Sequence, residues 1–407
     1  MQKIVLEKPY QFVPPRMGTF WPNFIQRVGL LEWYLKRYEG VTSYRIEGID
    51  HLRESMRLKR GVILAPNHCR LADPMVMGFV SREIQKPLFA MASWHLFEQH
   101  WFMRWALQAM GAFSIYREGV DKQSLDAAIE ILTYARRPLV LFPEGAIFRT
   151  NDKLQALLDG VAFIARTAAK RQAKKEDSAN GVVIHPIAIK YVFHGDLKKS
   201  VEPVLDTIDQ GLTWQQPFEG NVRDRIARII RGLLALKEIE YLGEPQRGSF
   251  TQRQSNLVDS LLRPIEDRLL GRIGTGPVIP RIKALRVKIV PELSGDEISS
   301  AQRTKYWKDL SDIYLSQQVA AYPPEYLTDP TTDTCILETV ERLEEDLTDR
   351  TRVHSPFEAV IQIAPAIDVP SERAPRGEED PIMIQLRSEL RRMLAEMAGL
   401  AHDFKDI

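Results

Sequence analysis

The sequence predicts an α/β fold: a mostly parallel central sheet flanked by helices, with an amphipathic helix before it and a mainly helical extension after it. Two observations carry this. Short apolar runs such as GVILAP and PLVLFP alternate with helical segments from about Tyr44 to Phe193, the pattern of a largely parallel sheet. Beyond Gly195 the strand signal weakens and helix periodicity takes over. The chain has 407 residues, 44% of them hydrophobic, enough for a sizeable core.

The segment Phe20 to Tyr38 reads as one helix, with Phe24, Val28, Leu31 and Leu35 at three- and four-residue steps. Its Trp21, Trp33 and Tyr34 beside Arg27, Lys36 and Arg37 suit either a core-packed helix or one lying in a membrane interface. The strands expected next are YRIEGI, GVILAP, PLFAMA, AFSIY, PLVLFP and VVIHPIAIKYVF. The helices between them are PMVMGFVSREIQ, HLFEQHWFMRWALQAM, SLDAAIEILTYA and LQALLDGVAFIARTAA. Then VRDRIARIIRGLLALKEIEYLGEP reads as a helix leading into a strand and turn, followed by helices over Ser255 to Leu270, Ser300 to Tyr322, Thr334 to Leu347 and Met383 to Leu400. SERAPRGEED reads as a polar loop, and IEYLGEP and VIQIAPAIDVP hint at a repeat. The expected organisation is an N-terminal helix region over 1–42, an α/β domain over 43–271 and a helical extension of unassigned role over 272–407.

Lys and Arg number 55 against 54 Asp and Glu, so nothing global points to nucleic acid. Two cysteines, Cys69 and Cys335, form no CxxC unit and suit a reducing cytosol. The first residues, MQKIVLEKPYQFVPP, lack the apolar run of a signal peptide. No stretch has the roughly 18 uncharged apolar residues of a spanning helix. Any membrane contact is therefore expected to be peripheral.

The stretch NHCRLADP, Asn67 to Pro74, follows the strand GVILAP and precedes a helix. Asp73-Pro74 suits an N-cap followed by a first-turn proline. Within one helix, His68 and Asp73 would point about 140° apart. A loop-to-helix turn lets them meet, and the carboxylate then orients the imidazole and steadies its protonated form. The plainer alternative is a cap beside a loop histidine. FPEG, Phe142 to Gly145, leaves another strand at the same sheet edge, placing Glu144 and Gly145 where a backbone can approach a ligand. GAFSIYR ends a third strand at Arg117, a guanidinium suited to phosphate or carboxylate. Pro186 interrupts the apolar run IHPIAI. Because proline is unusual in a central strand, a strand end forming a pocket wall is expected there.

In this order, NHCRLAD, GAFSIYR, FPEG and VVIHPIAI resemble the four sequence blocks of the glycerolipid acyltransferase family. Leu96, Phe97, Trp101 and Phe102, leading to Gly111, are similar to that family's approach to its second block. The resemblance covers about residues 20 to 270. It implies a fatty acyl transfer from acyl-CoA or acyl carrier protein to a hydroxyl of lysophosphatidic acid or a related glycerolipid, in phospholipid biosynthesis. It implies His68 as general base with Asp73 as its partner, and Arg117, Glu144 and Gly145 around the acceptor. The family commonly continues FPEG with Thr-Arg-Ser, whereas Ala146, Ile147 and Phe148 stand here and the next arginine is Arg149. Arg149 and Pro186 are therefore the remaining substrate-binding candidates, and the acceptor phosphate is held differently or the acceptor differs.

No metal and no cofactor beyond the acyl thioester co-substrate is expected. The eight histidines show no H-x3-H spacing. No G-x-S-x-G elbow supports a serine route, and Cys69 need not face its neighbour His68. The expected partners are an acyl donor, a lysophospholipid and the cytoplasmic face of a membrane. The alternatives are another acceptor such as glycerol 3-phosphate, hydrolysis of the thioester, or a non-enzymatic lipid-binding protein.

Overall fold

The computed structural model describes residues 8–119, 121–174, 179–212, 220–295, 298–328, 331–372 and 378–405. Among these residues the strands are β1 (Val41–Glu47), β2 (Gly61–Pro66), β3 (Phe89–Ser93), β4 (Ala112–Ile115), β5 (Leu139–Val140), β6 (Val182–Phe193), β7 (Phe357–Ile363) and β8 (Ile367–Val369). The helices up to the end of β6 are α1 (Phe20–Arg27), α2 (Leu30–Tyr38), α3 (Ile49–Arg57), α4 (Asp73–Glu83), α5 (Trp94–Phe97), α6 (Trp101–Ala109), α7 (Lys122–Thr133) and α8 (Gly160–Gln172). After it come α9 (Leu197–Gly211), α10 (Val222–Leu242), α11 (Phe250–Leu270), α12 (Val278–Leu293), α13 (Ser300–Ala320), α14 (Asp333–Thr348) and α15 (Pro381–Glu396).

The sheet order is β1-β7-β6-β2-β5-β3-β4, with β8 also on β6. From β6 to β4 every pairing is parallel, so the carboxyl ends of β2, β4 and β5 share one edge. Helices cover both faces. Along β2, Val62 and Leu64 enter one core with Leu31, Val76, Val80 and Leu337, while Ile63 and Ala65 enter the other with Leu132, Ala165 and Leu386. Burial on both faces is why GVILAP is a continuous apolar run rather than an alternation. The expected fold class is the observed one.

The mainly helical segment beyond residue 271 also supplies part of this sheet. β7 inserts between β1 and β6, parallel to the first and antiparallel to the second. VIQIAPAIDVP is thus strand, while IEYLGEP lies in and after the last turn of α10 rather than forming the expected strand. The hinted repeat has no structural counterpart. Glu238, inside α10, pairs its buried carboxylate with Arg253 of α11 at 2.7 Å, and Gly243 ends the helix in the left-handed region at φ 84°. Of the expected loop SERAPRGEED, residues 373–377 lie outside the described residues, and those on either side form neither helix nor strand.

Three further expectations are corrected. Phe20 to Tyr38 is two helices, because Gly29 takes a left-handed φ of 67° between them. Leu31 and Leu35 are buried, while Phe24 and Val28 remain exposed. HLFEQHWFMRWALQAM is likewise split, and His100 caps α6 by accepting from Phe102 N. Pro186 is no strand end: it sits inside β6, opposite Ala65 of β2. On its other side β6 pairs with β8 up to Ile184 and with β7 from Ile187. The missing N–H therefore falls at the seam between two partners, where no ladder bond is lost, and Pro186 O still accepts from Ala364 N at 3.0 Å.

Candidate active site

His68 and Asp73 meet at the carboxyl end of β2. His68 Nδ1 and Asp73 Oδ2 are 2.8 Å apart, and both side chains are buried. The intervening loop closes on the same carboxylate, since Arg70 N donates to Oδ2 at 2.9 Å. Tyr191 of β6 donates its hydroxyl to Oδ1 at 2.7 Å. Asp73 therefore does not cap α4: it lies in the first helical turn, Ala72 stands at the cap, and no side-chain capping bond forms. Its oxygens are taken by the histidine, the loop and the tyrosine. The Phe142 ring stacks on His68 with centroids 4.0 Å apart.

Asn67 anchors this loop. Its side chain accepts from Ile189 N at 2.7 Å and donates to Ile189 O at 3.0 Å, continuing the β2–β6 ladder past Pro66. Asn151 repeats the device two residues on, accepting from Tyr191 N at 2.8 Å and donating to Tyr191 O at 2.9 Å.

The FPEG turn lies against the same loop. Glu144 is 3% exposed and points inward, away from solvent. It accepts from His68 N at 2.6 Å and from Gln155 N at 2.9 Å. Leu158 N donates to Pro143 O at 2.8 Å. These bonds explain why the helix expected from Leu154 begins only at Gly160: the preceding N–H groups serve the turn instead. Gly145 has φ 69°, and a Cβ there would come within 2.6 Å of Leu158 Cδ1. Arg117 Nη1 donates to Gly145 O at 2.7 Å, which joins the end of β4 to the FPEG turn. His68, Asp73, Arg117, Glu144 and Gly145 thus converge on one sheet edge.

Arg149 does not point into this cluster. It has φ 47° and pairs with Glu345 at 2.7 Å and Glu341 at 3.6 Å, both on α14. Pro186 lies buried in the sheet. Phe148 is buried as well.

The sequence motifs do not single out the buried charges that surround this loop. Arg70, inside the motif, donates to Glu341 Oε1 at 3.2 Å, and its guanidinium lies 3.6 Å from Glu338. It also stacks over Phe357 at 4.4 Å. Glu338 accepts from Asn151 N at 2.9 Å. Burial opposes the charge on Arg70, but Glu341 and Glu338 together hold its pKa above the ordinary value. Burial pushes Glu338 up to about 7 against the pull of Arg70 and the Asn151 N–H. The available signal was three glutamates at 338, 341 and 345 on one helical face.

Burial also pushes the Glu144 carboxyl up to about 7, although the His68 and Gln155 N–H groups pull it down. The folded protein then holds a proton that the unfolded chain releases above the ordinary 4.5. Stability from this group is therefore lost as pH rises between about 4.5 and 7. Glu144→Gln cannot ionise and escapes that loss. Chemical unfolding at pH 5 and pH 7.5 is expected to show the variant gaining on the wild type at the higher pH, by on the order of 2 kcal/mol. A shift in the opposite direction would mean that the fold favours the ionised carboxylate. Burial and the nearby Asp73 also drive the Cys69 thiol well above its usual range, which denies it the thiolate a nucleophile needs.

Among the described residues no helix is long and apolar enough to cross a membrane. Residues 43–190 match the acyltransferase family. The chain is 28% identical over 141 residues to a 1-acyl-sn-glycerol-3-phosphate acyltransferase of Streptococcus pneumoniae (strain ATCC BAA-255 / R6), across 34% of this chain and 50% of that protein. It spans about half the length of the curated relative it matches. These two likenesses, with the buried His68–Asp73 pair, support an acyltransferase domain of the glycerolipid acyltransferase-like kind.

Proposed function

We propose that this protein transfers a fatty acyl group from acyl-CoA or acyl carrier protein to a hydroxyl of lysophosphatidic acid or a related glycerolipid, in phospholipid biosynthesis. The observation that carries this reading is the bond from His68 Nδ1 to Asp73. With Nδ1 committed, Nε2 is the nitrogen left to accept a proton. It takes the proton of the acceptor hydroxyl as the oxygen attacks the thioester carbonyl. The tetrahedral intermediate collapses, the C–S bond breaks, and the imidazolium returns the proton to the leaving thiolate. Asp73 steadies the charge on the imidazolium.

In this reading Arg117 binds the acceptor phosphate, while Glu144 and Gly145 shape the loop beneath it. Arg149 and Pro186 act from a distance, through α14 and the sheet. The protein works on the cytoplasmic face of a membrane. Phe20 and Trp101 are 69% and 74% exposed, and Trp21 of α1 meets Trp105 of α6 at 5.0 Å, so two helices present one continuous aromatic surface suited to the interface.

A panel of acceptors with one labelled acyl-CoA tests the reading. Acyl transfer to lysophosphatidic acid is expected to exceed transfer to glycerol 3-phosphate and to phosphate-free lipids. Label lost equally fast without any acceptor would indicate hydrolysis instead. Arg117→Ala is expected to raise the acceptor KM about tenfold or more, and an equal rise in the donor KM would count against the phosphate role.

A further inference from the structure

The FPEG turn lacks the arginine that the glycerolipid acyltransferase blocks commonly carry there, and the nearest one, Arg149, is bound to α14. A phosphate beside Arg117 needs other cations. The fold supplies them from α12, inside the helical extension beyond residue 271.

α12 packs with α11 and α13 around Leu262, Leu285 and Ile313, and Tyr116 at the end of β4 packs against this cluster. The contact brings α12 beside Arg117. Lys283 and Arg286 stand three residues apart and so share one helical face. Arg286 Nη2 donates to Glu118 Oε1 at 2.5 Å, and Glu118 Oε2 lies 3.3 Å from His95 Nε2. Arg286 Nε is buried without a hydrogen-bond partner. Lys283 is exposed. Even so, the protein packed around its side chain and the repulsion of Arg117 lower its affinity for its proton, against the attraction of Asp159 and Glu118. Arg117 is in turn depressed by burial and by Arg286, with Glu118 opposing. The Arg286–Glu118 bond and the Tyr116 contact set α12 against the segment that carries Arg117, so an anion bound between them would meet Arg117, Lys283 and the unpartnered Arg286 Nε.

We propose that Lys283 and Arg286 join Arg117 in a cradle for the phosphate monoester of a bound substrate, in place of the arginine absent from the FPEG turn. The inference rests on the acyl-transfer reading for the identity of that substrate. The phosphate belongs either to the glycerol headgroup of the acceptor or to the nucleotide of a CoA donor. α12 makes the segment beyond residue 271 part of substrate selection.

Calorimetric titration of the full chain with glycerol 3-phosphate, adenosine 3′,5′-bisphosphate and glycerol needs no turnover. Lys283→Glu is the main variant because Lys283 is exposed, and Lys283→Arg is its conservative control. One phosphate probe is expected to bind the wild type and the arginine variant alike, and to bind Lys283→Glu about tenfold or more weakly. Glycerol is expected not to bind. Weakening for glycerol 3-phosphate assigns the cradle to the acceptor, and weakening for the bisphosphate assigns it to the donor. Equal binding of both probes to wild type and Lys283→Glu would overturn the proposal, as would no binding of either to the wild type. Lys283-dependent binding without acyl transfer would leave the cradle standing and sink the proposed activity. Transfer with Lys283-independent binding would do the reverse.

Discussion

His68→Ala is expected to lower the turnover number for acyl transfer by roughly 10²–10⁴-fold, the usual worth of a positioned general base. The fold should survive. The imidazole bonds Asp73, but the His68 N–H that anchors the loop to Glu144 belongs to the backbone. Asp73 also keeps its bonds from Tyr191 and Arg70 N. Circular dichroism and unfolding midpoints should therefore stay close to wild type while activity collapses. Asp73→Asn makes the useful comparison. An amide can still meet Nδ1, but it carries no charge to steady an imidazolium, so a large loss of turnover is expected there too. A purified His68→Ala protein with near-normal transfer would falsify the general-base role.

Arg70→Ala is expected to destabilise the protein by about 3–5 kcal/mol, the range for removing one member of a buried ion pair. Glu338 and Glu341 would lose their shared cation inside the fold, and the Phe357 ring would lose its stacked guanidinium. The cost comes from the stranded carboxylates rather than from the pair itself. Removing them as well should restore much of the loss. The triple variant Arg70→Met, Glu338→Gln, Glu341→Gln is therefore expected to be more stable than Arg70→Ala alone. Denaturant unfolding of the three proteins decides it, and a triple variant no more stable than Arg70→Ala would refute the stranded-charge explanation. Activity should fall in both variants, since the Arg70 side chain ties the His68 loop to α14.

Much of the architecture was legible because local pattern and tertiary role coincide. GVILAP is apolar throughout because both its faces are buried. Its strand–loop–helix context brought His68 to the sheet edge where Glu144 and Arg117 also lie. The sequence misled where a side chain's partner is remote. Asp73 looked like a helix cap, yet Tyr191, 118 positions away, takes one of its oxygens. Glu144 looked like a ligand at a turn, yet its oxygens hold the backbone of His68 and Gln155. Arg149 looked like a displaced phosphate ligand, yet Glu345, 196 positions on, claims it.

By itself the sequence determined which residue types reach one sheet edge, because strand direction and loop position follow from local hydrophobic pattern and turn chemistry. Only the tertiary structure decided which of them are free to meet a substrate and which are spent holding the loop. That division depends on partners brought by α12, α14, β6 and β7, whose distance along the chain leaves no periodic trace. A buried carboxylate and a ligand-facing one have the same letter, and what separates them is whether another part of the chain has already satisfied their charge.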